Sequence, residues 1–134
     1  MQVKEIKKDN KLLALILPKG IEKDGTSFFT DKKNNFQLGF LKYKKGAKIK
    51  PHIHKVFERI IRGTQELFYV VKGRVRVNFY DKKGKKTRSS ILKSGDTLLI
   101  ISAGHGFEIL KNSKILVLKQ GPYCSIEEDK RHFL

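Results

Sequence analysis

Several things are scarce in this chain, and each scarcity excludes a class of protein. Of 134 residues only one is cysteine, three are proline, none is tryptophan and 13 are acidic. A single cysteine, Cys124, can close no internal disulfide, and cysteine-rich zinc or iron–sulfur chemistry is excluded by count. No cationic neighbour is fixed beside it, so a structural role is expected. The longest apolar run, Leu12 to Leu17, has six residues, against the roughly 20 that a membrane helix needs. No membrane insertion is therefore expected. Met1-Gln2-Val3-Lys4-Glu5 carries charge where an export signal has its apolar core, so the expected location is cytoplasmic. No repeat, linker or low-complexity stretch is visible. With 39% hydrophobic residues and 11 glycines the composition is that of an ordinary globular protein. The length suits one domain spanning residues 1–134.

What is abundant is positive charge. Thirty Lys and Arg residues face 13 Asp and Glu, for a formal net charge of +17. Such a charge favours anionic partners. It is carried by 24 lysines and only six arginines, scattered as pairs such as Lys7-Lys8, Lys32-Lys33, Lys44-Lys45 and Lys82-Lys83. No helix-turn-helix, zinc finger or aromatic RNA-binding motif accompanies them, so specific nucleic-acid binding is not expected. A small anionic molecule is the better match.

The apolar residues alternate with period two. Phe36, Phe40 and their neighbours up to Tyr43 do so, and Val75, Val77 and Phe79 oppose Arg74, Arg76 and Asn78. His105 to Ile109 alternates again. Runs at 12–17, 66–71, 97–101 and 114–119 add further strands, with turns at Pro18-Lys19-Gly20, Lys45-Gly46, Lys72-Gly73, Asp81 to Gly84 and Ser94-Gly95-Asp96. Six to eight strands at this spacing predict an all-β sandwich or barrel. Only Lys55 to Arg62 and the tail after Ser125 suit a helical turn.

Three of the four histidines stand in suggestive places. His52 and His54 close a strand-like segment, Lys48 to His54, where a spacing of two puts both rings on one face with Cβ atoms roughly 7 Å apart. His105 opens a later strand and Glu66 begins another. If these strands are neighbours, three imidazoles and a carboxylate converge. That set suits one divalent ion such as Fe, Mn, Ni, Co or Zn, with positions left open for a substrate.

Gly46-x5-His52-x-His54 followed by Glu66-x6-Gly73 resembles the first motif of the cupin superfamily, and Gly95-Asp96-Thr97 through His105-Gly106-Phe107 resembles its second. The likeness covers residues 46 to about 109. It implies a double-stranded β-helix, a jelly-roll barrel, and His52, His54, Glu66 and His105 as metal ligands. Two departures stand out. Eleven residues, Lys55 to Gln65, separate His54 from Glu66 where the usual pattern has three or four, and the second motif lacks its proline. Gln65 or Glu58 is accordingly an alternative fourth ligand, and residues 55–65 are a candidate lid.

Fold does not fix function, so the groups beside the ligands matter. Phe68 and Val70 share the face of Glu66 and are expected inside the barrel, with Tyr69 outside. Glu58, Arg76 and Tyr80 are the catalytic candidates, and an inward Arg76 would make an anion pocket. The leading expectation is a metal-dependent isomerase or epimerase acting on a small anionic sugar derivative, such as a nucleotide sugar. The segment Lys119 to Tyr123 resembles stand-alone cupins of surface-polysaccharide synthesis. An Fe(II)-dependent dioxygenase and a non-catalytic metal- or metabolite-binding module are the alternatives. The resemblance also implies a homodimer, with the segment from Ile126 to Leu134, which carries the acidic cluster, as a docking candidate.

Overall fold

A computed structural model describes residues 2–133. The chain forms two compact units, one of Met1–Ile21 with Thr64–Leu134 and one of Glu22–Gly63. Both are built from antiparallel β-structure, so the all-β expectation holds.

The first unit contains β1 (Lys4–Lys8), β2 (Lys11–Leu17), β5 (Glu66–Tyr80), β6 (Lys86–Lys93), β7 (Thr97–Ile100), β8 (Gly104–Lys119) and a single helical turn, α1 (Ile126–Asp129). Its strands follow the order β1-β2-β7-β5-β6, with β8 on the other side of β5. β2 reads as a continuous apolar run because it lies between β1 and β7, and Leu13 to Leu17 are buried on both faces. The β1–β2 hairpin turns through Asp9 and Asn10, both at positive φ (52° and 63°), as a tight two-residue hairpin requires. Asp96 fixes the turn before β7: its Oδ1 accepts from Lys19 N at 3.0 Å and its Oδ2 from Lys93 N at 2.8 Å.

β5 and β8 correct the strand count read from sequence. Lys72-Gly73 predicts a turn between two strands, yet β5 runs through it, and the runs 105–109 and 114–119 likewise form one strand. The ladder between β5 and β8 is interrupted between Val70 and Val75. Gly73 lies at φ 107°, and Arg74 N donates to Ser113 Oγ at 3.1 Å. Glycine here bends both strands together as a bulge. The bulge also switches the inward face: Phe68 and Val70 are buried before it, Val75, Val77 and Phe79 after it.

The bending has a large consequence. Glu66 and Phe79 would stand about 43 Å apart on a straight strand. His105 pairs with Phe79, and yet its ring touches Glu66. The sheet is therefore strongly curled. Its concave side holds the core: Phe68, Val70, Val75, Val77, Phe79, Leu92, Leu98 and Ile100, joined by Ile6 and Leu13.

The second unit holds a two-stranded sheet of β3 (Gly25–Phe28) and β4 (Gly39–Lys42). Phe29 and Phe40 meet edge to face at 5.6 Å, Thr26 Oγ1 and Tyr43 Oη are 2.6 Å apart, and Lys42 pairs with Glu22 and with Asp24. Residues 41–63 are exposed throughout. Two local expectations fail here. Lys48 to His54 forms no strand, because no neighbouring strand takes its backbone hydrogen bonds and Pro51 lacks an N–H to give. Lys55 to Arg62 forms no helix, since so short a segment needs an apolar face packed on something. The turn after Ser125 does form, with Ser125 Oγ accepting from Glu128 N at 3.2 Å.

Candidate functional site

Glu66 starts β5 on the face that continues through Phe68 and Val70 into the core. His105, at the start of β8, faces the same way as its partner Phe79. The curl brings the two side chains together, with His105 Nε2 3.1 Å from Glu66 Oε1 and only 22% and 16% of the side chains exposed. Two aromatic rings flank the imidazole, Phe68 at 5.7 Å and Phe107 at 6.2 Å between centroids, and these two pack on each other at 4.9 Å. The hydrogen bond from His105 holds the Glu66 carboxyl below its ordinary range, against the opposing effect of burial, with smaller help from the charges of Lys119 and Lys130.

The other ring nitrogen is also engaged. His105 Nδ1 lies 3.3 Å from Ala103 O. Both neighbours of the ring are thus oxygen acceptors. A neutral imidazole carries one N–H and satisfies one of them. An N–H on Nε2 donates to Glu66 and leaves Nδ1 bare before Ala103 O, whereas an N–H on Nδ1 leaves Nε2 and Oε1 facing each other as two ligand atoms. Donor atoms at neighbouring positions around a metal ion, bound at about 2.1 Å, are themselves about 3 Å apart. The spacing and the mixed imidazole–carboxylate donor set fit a borderline divalent ion.

His52 and His54 lie in the second unit, exposed, with ring centroids 5.4 Å apart in an edge-to-face arrangement. The rings are neighbours as the His-x-His spacing predicts, though on irregular backbone instead of a strand. His52 Nδ1 is 2.8 Å from Lys50 O, which leaves Nε2 as the outward donor atom. Among the described residues, no group of three or more His, Cys, Asp or Glu side chains stands together in a metal-holding arrangement. The donors come in two pairs, one in each unit.

The remaining candidates separate. Glu58 is exposed in the second unit, beside Arg59, whose guanidinium covers the Phe57 ring at 3.8 Å. Gln65 is buried, and its backbone N–H donates to Gln120 Oε1 at 2.9 Å. Arg76 lies on the face of β5 away from Val75 and Val77, where it pairs with Glu108 across β8 at 2.6 Å and holds that carboxyl below its ordinary range. Its guanidinium is thereby committed to a cross-strand pair. Tyr80 leans on Phe133 at 5.6 Å. Cys124 is exposed. The contribution of Ala103 O to the His105 ring was not readable from sequence, because a backbone carbonyl leaves no residue signature.

No helix among the described residues is long and apolar enough to cross a membrane. No protein-family model, curated protein or solved structure matches the chain.

Proposed function

We propose that the protein is a cupin-like metal-binding enzyme that isomerises or epimerises a small anionic sugar derivative at the Glu66–His105 pair. One observation carries this reading: a carboxylate and an imidazole from distant parts of the chain meet at 3.1 Å, with the ring's other nitrogen already facing an oxygen. Such a pair holds a proton, or a divalent ion, at one defined position. Isomerisation next to a carbonyl needs a base to take a proton from carbon and an acid to protonate the developing oxyanion. Glu66, kept ionised by its neighbour, suits the base, and the Nε2–H of His105 suits the acid. A divalent ion held by the same two atoms would take the place of that proton and polarise the carbonyl oxygen instead. The aromatic wall of Phe68 and Phe107 would limit water at the reacting carbon. The net charge of +17 favours anionic substrates. A double-stranded β-helix and a homodimer complete the reading, the dimer supported by the outer edge of β8, which among the described residues pairs only with β5.

The aromatic lining favours one second reading, an Fe(II) dioxygenase, which oxygen uptake would reveal. Metal analysis of the full chain beside two double variants, Glu66→Gln/His105→Ala and His52→Ala/His54→Ala, tests the proposal. The expected result is about one equivalent of Fe, Mn, Ni, Co or Zn per chain, lost on changing Glu66 and His105. A wild-type chain that neither carries nor takes up any of these ions overturns the metal reading. Loading that survives the Glu66/His105 change moves the site elsewhere.

A further inference from the structure

A concavity lies in the first unit. It has a volume of about 630 Å³ and includes neither Glu66 nor His105 in its walls. Tyr80 and its partner Gly104 both line it, while the preceding pair, Phe79 and His105, points into the core. Strand alternation therefore turns the Tyr80 side chain away from Phe79 and from the Glu66–His105 pair.

Its rim is made where the β1–β2 and β5–β6 hairpins meet the end of the chain. Lys8, Lys11, Lys82, Lys83 and Arg131 contribute five cations against the carboxylates of Asp9 and Asp81, a net charge of +3. Asp81 is committed to its own turn, with Oδ1 accepting from Lys83 N at 2.9 Å and Lys85 N at 3.0 Å. Among the described residues, the ammonium groups of Lys8, Lys11, Lys82 and Lys83 make no ion pair. Leu13, Tyr80 and Phe133 form an apolar wall, and Thr87 and Ser102 add hydroxyl groups.

The wall is held in place by specific packing. The Phe133 ring fills space that only glycine leaves: a Cβ at Gly104 would come within 2.8 Å of it, and one at Gly84 within 3.0 Å. Arg131 fixes the same tail segment by donating to Lys82 O at 2.8 Å. Mutually repelling lysines around a cavity with an aromatic wall are stabilised by an anion that carries an apolar body. The volume falls within the range of small-molecule sites, roughly 300–1,000 Å³, and greatly exceeds one inorganic anion.

We infer that this cavity is a second binding site, for a small phosphate monoester whose dianionic head meets Lys8, Lys11 and Lys82 and whose ring or hydrocarbon body rests on Tyr80 and Phe133. It is independent of the site at Glu66 and His105.

Calorimetric titration of the full chain with phenyl phosphate, phenol and inorganic phosphate tests this. Phenyl phosphate should bind saturably, tighter than phosphate, and phenol should not bind. Lys8→Gln/Lys11→Gln/Lys82→Gln should weaken phenyl phosphate at least tenfold. Lys32→Gln/Lys44→Gln/Lys45→Gln, which removes the same charge from exposed positions of the other unit, should change it less than twofold. Phe133→Ala should weaken phenyl phosphate and leave inorganic phosphate unchanged. Equal weakening by the two triple variants would reduce the effect to bulk charge and overturn the site, as would absence of saturable binding. Glu66→Gln/His105→Ala should retain phenyl phosphate binding, and its loss there would assign the ligand to the other site.

Discussion

Asp81 illustrates how one carboxylate can define a turn. Its Oδ1 accepts two backbone N–H bonds, from Lys83 and Lys85, and Gly84 N closes the turn on its carbonyl. The bonds from the Lys85 and Lys83 amides, aided by the charges of Lys8 and Lys85, hold its carboxyl below the ordinary range. A carboxyl depressed by folding stabilises the native state above its unfolded pKa, and that contribution disappears as pH falls through the lower folded value. Asp81→Asn should therefore melt at a lower temperature than the wild type at pH 7. The gap should shrink from about pH 5 downwards, where the unfolded carboxyl begins to protonate. Thermal melts at pH 7, 5, 4 and 3 check this, and a gap that stays constant would mean the charge contributes nothing. The Asp81 to Gly84 turn was legible because each of its residues prefers the conformation it adopts. The setting of His105 between two oxygens was not, since it depends on Ala103 O and on a contact 39 residues away.

Among the elements, β5 carries the most geometric information. Alternation placed Phe68, Val70, Val75, Val77 and Phe79 on the buried side correctly, and all five are in the core. What alternation could not distinguish is a glycine that ends a strand from one that bends it. Gly73 does the latter because β8 bends beside it and Ser113 receives the Arg74 amide. The same side chain explains why no larger residue fits. A Cβ at position 73 would lie 2.1 Å from Ser113 Oγ and 2.6 Å from Asn112 O, at a φ of 107° that side chains disfavour. Gly73→Ala should destabilise the protein by about 2–4 kcal/mol, combining backbone strain with a steric clash. Urea unfolding measures it. Gly46→Ala is the control, because no atom lies within 4 Å of a Cβ built there although φ is also positive. Equal losses at the two positions would show that strain alone matters and that the bulge is not tightly packed. The failed strand at Lys48 to His54 has a different cause. Its residues have strand-like composition, but a strand exists only when a neighbour takes its hydrogen bonds, and sequence does not record the neighbour.

For the whole molecule, the tension is between charge and exposed apolar surface. β8 is 16 residues long and among the described residues pairs only with β5. Ile109, Leu110, Leu116, Val117 and Leu118 along it are exposed. A long apolar edge strand invites another strand, and a second copy of β8 offers the same apolar residues for an antiparallel pairing about a two-fold axis. The net charge of +17 on each copy opposes that approach. Surface repulsion is screened as the Debye length falls from about 10 Å at 0.1 M salt to about 3 Å at 1 M, whereas apolar burial is not weakened by it. The dimer fraction should consequently rise with salt, the reverse of an assembly held by ion pairs. Light scattering across 0.05–1 M sodium chloride would show a mass that climbs towards twice the protomer's. Leu116→Lys/Leu118→Lys should keep the chain monomeric at every salt concentration and leave its circular dichroism unchanged. A wild-type chain that stays monomeric at 1 M salt would rule out β8 as the seam, and a dimer that dissociates with salt would place the contact on charged surface instead.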